Sequence, residues 1–166
     1  MNRSVPKPDN EIERLVALDR LSNLEHIEDS DFNKIVERAK GFFNVPIALI
    51  SLVDRDRQWF KAKCGVDLHQ TSRDIAFCAY AILSSDVMVV LDALKDARFQ
   101  KNPLVVGDPH IRFYAGAPII VPDGLVLGTL CIIDKSPRDS FSKYETVELA
   151  KLAGMASALI QKKAGL

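Results

Sequence analysis

Residues 111–134, IRFYAGAPIIVPDGLVLGTLCIID, constrain this chain more than any other stretch. Two apolar runs, 111–121 and 125–134, flank Pro122-Asp123-Gly124. Asp-Gly between apolar runs is a strong hairpin signal, because the tight turn takes a left-handed φ that glycine adopts freely. The alternation of a strand puts Phe113, Ala115 and Ala117 on one face, and Tyr114, Gly116 and Pro118 on the other. Ala115 and Gly116 keep this strand thin, which suits either a ligand or a closely packed helix.

Other segments supply partners for that hairpin. PIALISLVD (46–54) is short, apolar and β-branched, and RQWFKAKCGV (57–66) follows after the two residues Arg55-Asp56, so a second hairpin is predicted. VMVVLD (87–92) reads as a further strand. From Asn10 the spacing of Ile12, Leu15, Val16 and Leu18 is helical. A second helix is predicted after Asp31 as N-cap, burying Phe32, Ile35, Val36, Ala39 and Phe43. Thr71 with Asp74, and Ser142 with Glu145, match capping boxes. They predict helices over 74–83 and from 143 toward Lys163, the second with Leu149, Leu152, Ala156 and Leu159 at heptad-like steps. Pro103, Gly107 and Pro109 keep 93–109 irregular. Residues 1–9 read as a flexible lead-in, and 10–166 as a single α+β domain with a five-stranded, mostly antiparallel sheet.

Charge and cysteine usage narrow the function. Lysine and arginine total 22 and aspartate and glutamate 22, a net charge of +0, so no basic field invites nucleic acid. Apolar stretches break within about ten residues, short of the ~20 that cross a bilayer, so no membrane partner is expected. Cys64, Cys78 and Cys131 are odd in number and irregularly spaced, which suggests neither a disulfide framework nor a zinc site. No secretion signal is evident, and the cytoplasm is the expected compartment. His26, His69 and His110 lack ligand spacing, so neither metal nor cofactor is expected.

Phe77-Cys78, Asp92, Asp96, Arg98-Phe99, Asn102-Pro103, FYAGAP, GTLCIID and Pro137-Arg138 follow one another in an order that resembles a bacterial GAF domain. The likeness is to the kind attached to histidine kinases and diguanylate cyclases, and it spans about 10–163. It implies a five- or six-stranded antiparallel sheet with terminal helices on one face and a small-molecule pocket on the other. It also implies a regulatory role and a homodimer through the terminal helices. Two covalent chemistries of GAF relatives, bilin attachment and free-methionine sulfoxide reduction, need a thiol just before the penultimate strand. Residues 100–112, QKNPLVVGDPHIR, have none. The Asn-Lys-Phe and Asp-Glu signature of cyclic-nucleotide-binding relatives is missing as well.

Candidate ligand contacts are Ser51, Trp59, Cys78, Asp92, Arg98, Phe99, Phe113 and Ala115. Each has a structural alternative. Asp92 or Asp96 can hold Arg98 in an ion pair. Phe99, Phe113 and Trp59 can fill a core, and Cys78 can pack as a small hydrophobe. Asp134 reads as a turn cap with Arg138 as a plausible partner. No nucleophile–base pair stands out, and the chain is expected not to be an enzyme. The expected function is a small-molecule-binding sensory domain of intracellular signalling, with a histidine kinase or diguanylate cyclase as possible partner. The alternatives are a dimerisation module without ligand and, third, a small redox enzyme. No effector segment is visible after residue 163, so the sequence reads either as a fragment of a longer chain or as a free-standing domain acting in trans, and Met1 favours the second.

Overall fold

The computed structural model describes residues 5–166; of the predicted lead-in, residues 1–4 lie outside the described part. The elements are α1 (Glu11–Asp19), α2 (Ser30–Phe43), β1 (Ile47–Val53), β2 (Arg57–Cys64), β3 (Gln70–Ser72), α3 (Phe77–Ala81), β4 (Met88–Val90), α4 (Pro103–Val106), β5 (Phe113–Val121), β6 (Leu125–Asp134) and α5 (Lys143–Ala164). Short 3-10 turns lie between several of them. The sheet is antiparallel throughout, in the order β3-β2-β1-β6-β5-β4. Its sixth strand is β3, three residues long and too short for a periodic pattern.

The central strands are buried on both faces. One face packs under α1, α2 and α5, and all five predicted residues of α2 lie in this core. The opposite face is covered by the connection from β2 to β5, with Phe77, Phe99, Val105 and Ile111 in a second core. Ring stacking of Phe77 on Phe99, 4.0 Å between centroids, fixes that cover. Two irregularities set which side chain goes to which face. In β2, Ser51 pairs with Phe60 and Ile50 with Ala62, leaving Lys61 as an extra residue. In β6, Ile119 pairs with Gly128 and Ile120 with Val126, leaving Leu127 extra. Each bulge reverses the alternation beyond it.

Several sequence expectations change. Asp29, not Asp31, caps α2: its carboxylate accepts the Asp31 N–H at 2.9 Å. The predicted helix over 74–83 is a 3-10 turn (Arg73–Ile75) followed by the short α3. Ser72 caps the turn, because the Thr71 hydroxyl sits in β3 and accepts from Gln58. In α1 the helical spacing misleads. Ile12 and Val16 are 76% and 63% exposed, while Arg14 is fully buried, donating to the Val53 carbonyl at 2.5 Å. Asp134 does cap its turn, accepting from Ser136 N–H, but Arg138 pairs instead with Glu145 and donates to the Phe43 carbonyl. The Ser142–Glu145 capping box of α5 forms in both directions, at 3.0 and 3.1 Å.

Candidate functional site

Between the sheet and the covering connection lies a narrow cleft with a volume of about 50 Å³. Its sheet wall is Ile47 and Leu49 of β1, Gln58 and Phe60 of β2, and Ile133 of β6. The connection contributes Leu68, Thr71, Phe77, Leu104 and Ile111. Cys78, Tyr114 and Cys131 form the floor. The walls are apolar because β1 and the end of β6 turn alternate apolar residues to each face.

The polar groups on this face are joined to one another. The Ser51 hydroxyl donates to Gln58 Oε1 at 2.7 Å, and Gln58 Nε2 donates to Thr71 Oγ1 at 2.7 Å. Cys78 Sγ lies 3.1 Å from Tyr114 Oη and 3.1 Å from Thr129 Oγ1. Burial alone would push the Cys78 thiol up. Hydrogen bonds, led by those from Cys131, Thr129 and Tyr114, outweigh burial and bring it down to about 6. Tyr114 is pushed up by burial and by charge on Cys78; Cys131 is pushed up by its hydrogen bond to Cys78 and by burial. Cys78 is thus the centre of a buried polar cluster on the cleft floor. Gly116 makes room for this. A Cβ there would stand 2.3 Å from Tyr114 Oη, so glycine is what lets the tyrosine ring lie along its own strand toward Cys78.

The sequence candidates are divided by the sheet. Ser51 and Cys78 face the cleft side. Phe99 belongs to the same core but lies behind Phe77. Asp92 caps the 3-10 turn Ala93–Lys95, and Arg98, largely exposed, pairs with Asp96 at 2.7 Å, so both serve the connection's shape. Trp59, Phe113 and Ala115 pack under the helices on the opposite face and do not reach the cleft. For Trp59, β-sheet alternation relative to Ser51 and Leu52 decides this: Trp59 pairs with Leu52, which faces the helices. For Phe113 and Ala115 the shared face was legible, but the helices, not a ligand, cover it. The polar residues missed were Gln58, Thr71, Tyr114, Thr129 and Cys131. Thr129, a lone hydroxyl in the apolar run LVLGTLCIID, was the available signal.

An α+β sheet with terminal helices on one face and a cleft on the other defines a class of sensory fold, and the comparisons agree. The GAF domain profile matches residues 29–160, and the chain belongs to the GAF domain family. GAF domains are regulatory, sensory domains of signalling proteins. The chain is 46% identical over 155 residues to a cyclic di-GMP phosphodiesterase of Pseudomonas aeruginosa, an alignment covering 93% of this chain and 26% of that protein. It thus spans about a quarter of that relative's length. Among solved structures, the GAF domain of an Acinetobacter phosphoenolpyruvate-protein phosphotransferase has a TM-score of 0.65 at 19% identity, covering 92% of this chain and 96% of that one. A type II free methionine-R-sulfoxide reductase from Thermoplasma acidophilum has a TM-score of 0.67 at 15% identity, covering 84% and 96%. These two show the shared fold.

The match to the phosphodiesterase corrects one expectation. The sequence reading set the chain apart from enzymes, whereas nearly all of it corresponds to part of one. Among the described residues no three His, Cys, Asp or Glu side chains converge as a metal site would need, and no helix is long and apolar enough to cross a membrane.

Proposed function

We propose that residues 10–166 form one sensory domain that reports the occupancy of its cleft to a signalling partner, as the regulatory part of an enzyme of cyclic di-GMP turnover. The cleft carries this reading. It lies where the covering connection meets the sheet, and one of its wall residues, Thr71, stands two residues from Arg73. Arg73 in turn holds Glu11 of α1 at 2.6 Å, so the wall is tied to a terminal helix. Ser51 and Cys78 are the sequence candidates assigned to the site, joined by Gln58, Thr71, Tyr114 and Thr129.

A homodimer through the terminal helices completes the reading. Tyr144, Val147 and Met155 on α5 and Ile12 and Val16 on α1 are exposed apolar side chains that a second copy would cover. Three free cysteines suit a reducing cytoplasm. A histidine kinase or diguanylate cyclase is the alternative partner.

Native mass spectrometry of freshly purified protein tests the proposal. A retained small molecule, or a melting temperature raised by one metabolite of a panel, is the expected result. Leu104→Trp, which fills the cleft, removes either signal. Protein that carries nothing, responds to no metabolite and remains a tight dimer has a scaffolding role instead.

A further inference from the structure

We infer that the cleft takes an uncharged, predominantly apolar molecule bearing at most one or two hydrogen-bonding groups, and that it rejects phosphates, carboxylates and ammonium ions. This rests on the sensory reading of the same site.

Three observations carry it. First, none of the lining residues is an aspartate, glutamate, lysine, arginine or histidine. The cations adjacent in sequence to lining residues are committed elsewhere. Arg57 pairs with Glu25 at 2.5 Å, Lys61 donates to the Leu24 and Ile27 carbonyls, and Arg112 donates to the Val105 and Ile111 carbonyls. His69, beside Leu68, and His110, beside Pro109, are both exposed. A phosphate or carboxylate entering this space loses its water and meets no positive charge.

Second, the polar groups on this face already satisfy one another. Gln58 is used at both ends, by Ser51 and Thr71. Tyr114, Thr129 and Cys78 form a closed set. Among the described residues no buried side-chain nitrogen or oxygen lacks a partner. A hydrocarbon surface can therefore seat against this face without stranding a donor or acceptor.

Third, the polar atoms of the floor, Cys78, Tyr114 and Thr129, lie within hydrogen-bonding reach of one another. Cys78 Sγ lies 3.1 Å from Tyr114 Oη and 3.1 Å from Thr129 Oγ1, so the floor leaves no open hydrogen-bonding position for a charged group of either sign. Cyclic nucleotides and dinucleotides fall outside the class on charge, and the larger of them on size.

Fluorine NMR with four probes of one shape tests the inference on the whole 166-residue chain. The probes are 4-fluorophenol, 4-fluorobenzoate, 4-fluorophenyl phosphate and 4-fluorobenzylamine, titrated near neutral pH. 4-Fluorophenol is expected to broaden and shift on binding, with each charged probe about a hundredfold weaker or silent. Leu104→Trp and Ile111→Phe fill the cleft from the covering side, and both are expected to abolish the 4-fluorophenol signal while circular dichroism stays that of the folded protein. Two variants keep the test alive should one fail to fold. A charged probe that binds as tightly as the phenol, and is displaced by either filling substitution, overturns the ligand class while leaving the sensory reading in place. Silence from all four probes overturns both.

Discussion

Glu11 accepts hydrogen bonds from two guanidinium groups, Arg14 at 2.8 and 3.2 Å and Arg73 at 2.6 and 3.2 Å. Burial pulls its carboxyl up, but the bonds from Arg73 and Arg14 win and hold it at about 2, against 4.5 for a free glutamate. Because the folded value is depressed, its stabilisation is complete above the free value and is lost as pH falls from 4.5 toward 2. Full linkage over that interval is worth about 3 kcal/mol, and solvent screening at a partly exposed pair reduces this to about 1–2 kcal/mol. Glu11→Gln is therefore expected to lower stability by that amount at neutral pH and to flatten the acid limb, read by urea melts at several pH values. A second residue-scale expectation concerns Gly116. Gly116→Ala drives a methyl into the Tyr114 ring and should cost about 1–3 kcal/mol. Combined with Tyr114→Leu, it should cost less than the sum of the two single substitutions, because the colliding atoms are gone. Arg14 marks the limit of legibility at this scale. A lone arginine among Ile12, Leu15 and Val16 looks like the polar side of a helix, and only Glu11 and the Val53 carbonyl, brought together by the fold, make it a core residue.

Among the elements, those whose signals are local were legible. The β5–β6 turn has left-handed backbone at both Asp123 and Gly124, φ 69° and 72°, as the Asp-Gly pair predicts. Nothing lies within 4 Å of a Cβ added at Gly124, so Gly124→Val tests the backbone alone. It should cost about 1–2 kcal/mol, the left-handed penalty of an L residue, measured as a drop in urea midpoint with unchanged slope. Ser142→Ala removes half of the α5 capping box and should cost about 1 kcal/mol in the same assay. Elements set by distant partners were not legible. Thr71 has the right neighbours for a capping box, yet β2 recruits it into a strand edge. The bulges at Lys61 and Leu127 exist because β1 and β5 hold their partners in register, and neither strand's own sequence announces them. Alternation tells which residues share a face; it does not tell which face the helices take. Phe113 and Ala115 share a face, as alternation predicts, and the helices cover it.

At the scale of the molecule, the two faces of the sheet are buried by different means, and that division makes a sensor possible. The helical face is a continuous apolar core. The other face is closed by a connection whose pieces are short, α3 of five residues and α4 of four, held by its own smaller core and by bonds such as Asn102 Nδ2 to the Ile75 carbonyl at 3.0 Å. Short elements open more readily than long ones, so a guest can bias this side while the helical face stays packed. The bias can reach α1 by one continuous route, from Thr71 in the cleft wall through Arg73 to Glu11. A ligand moves that helix only by the difference in its affinity for the two states. Hydrogen exchange measures the difference directly. With 4-fluorophenol at saturation, amides of α1 are expected to exchange about fivefold more slowly, which corresponds to a coupling of about 1 kcal/mol. Glu11→Gln cuts the route while leaving the cleft walls intact, so β2 and the connection should still gain protection and α1 should not. If α1 slows equally in that variant, coupling runs through the sheet instead, and the Glu11–Arg73 pair is a structural clamp.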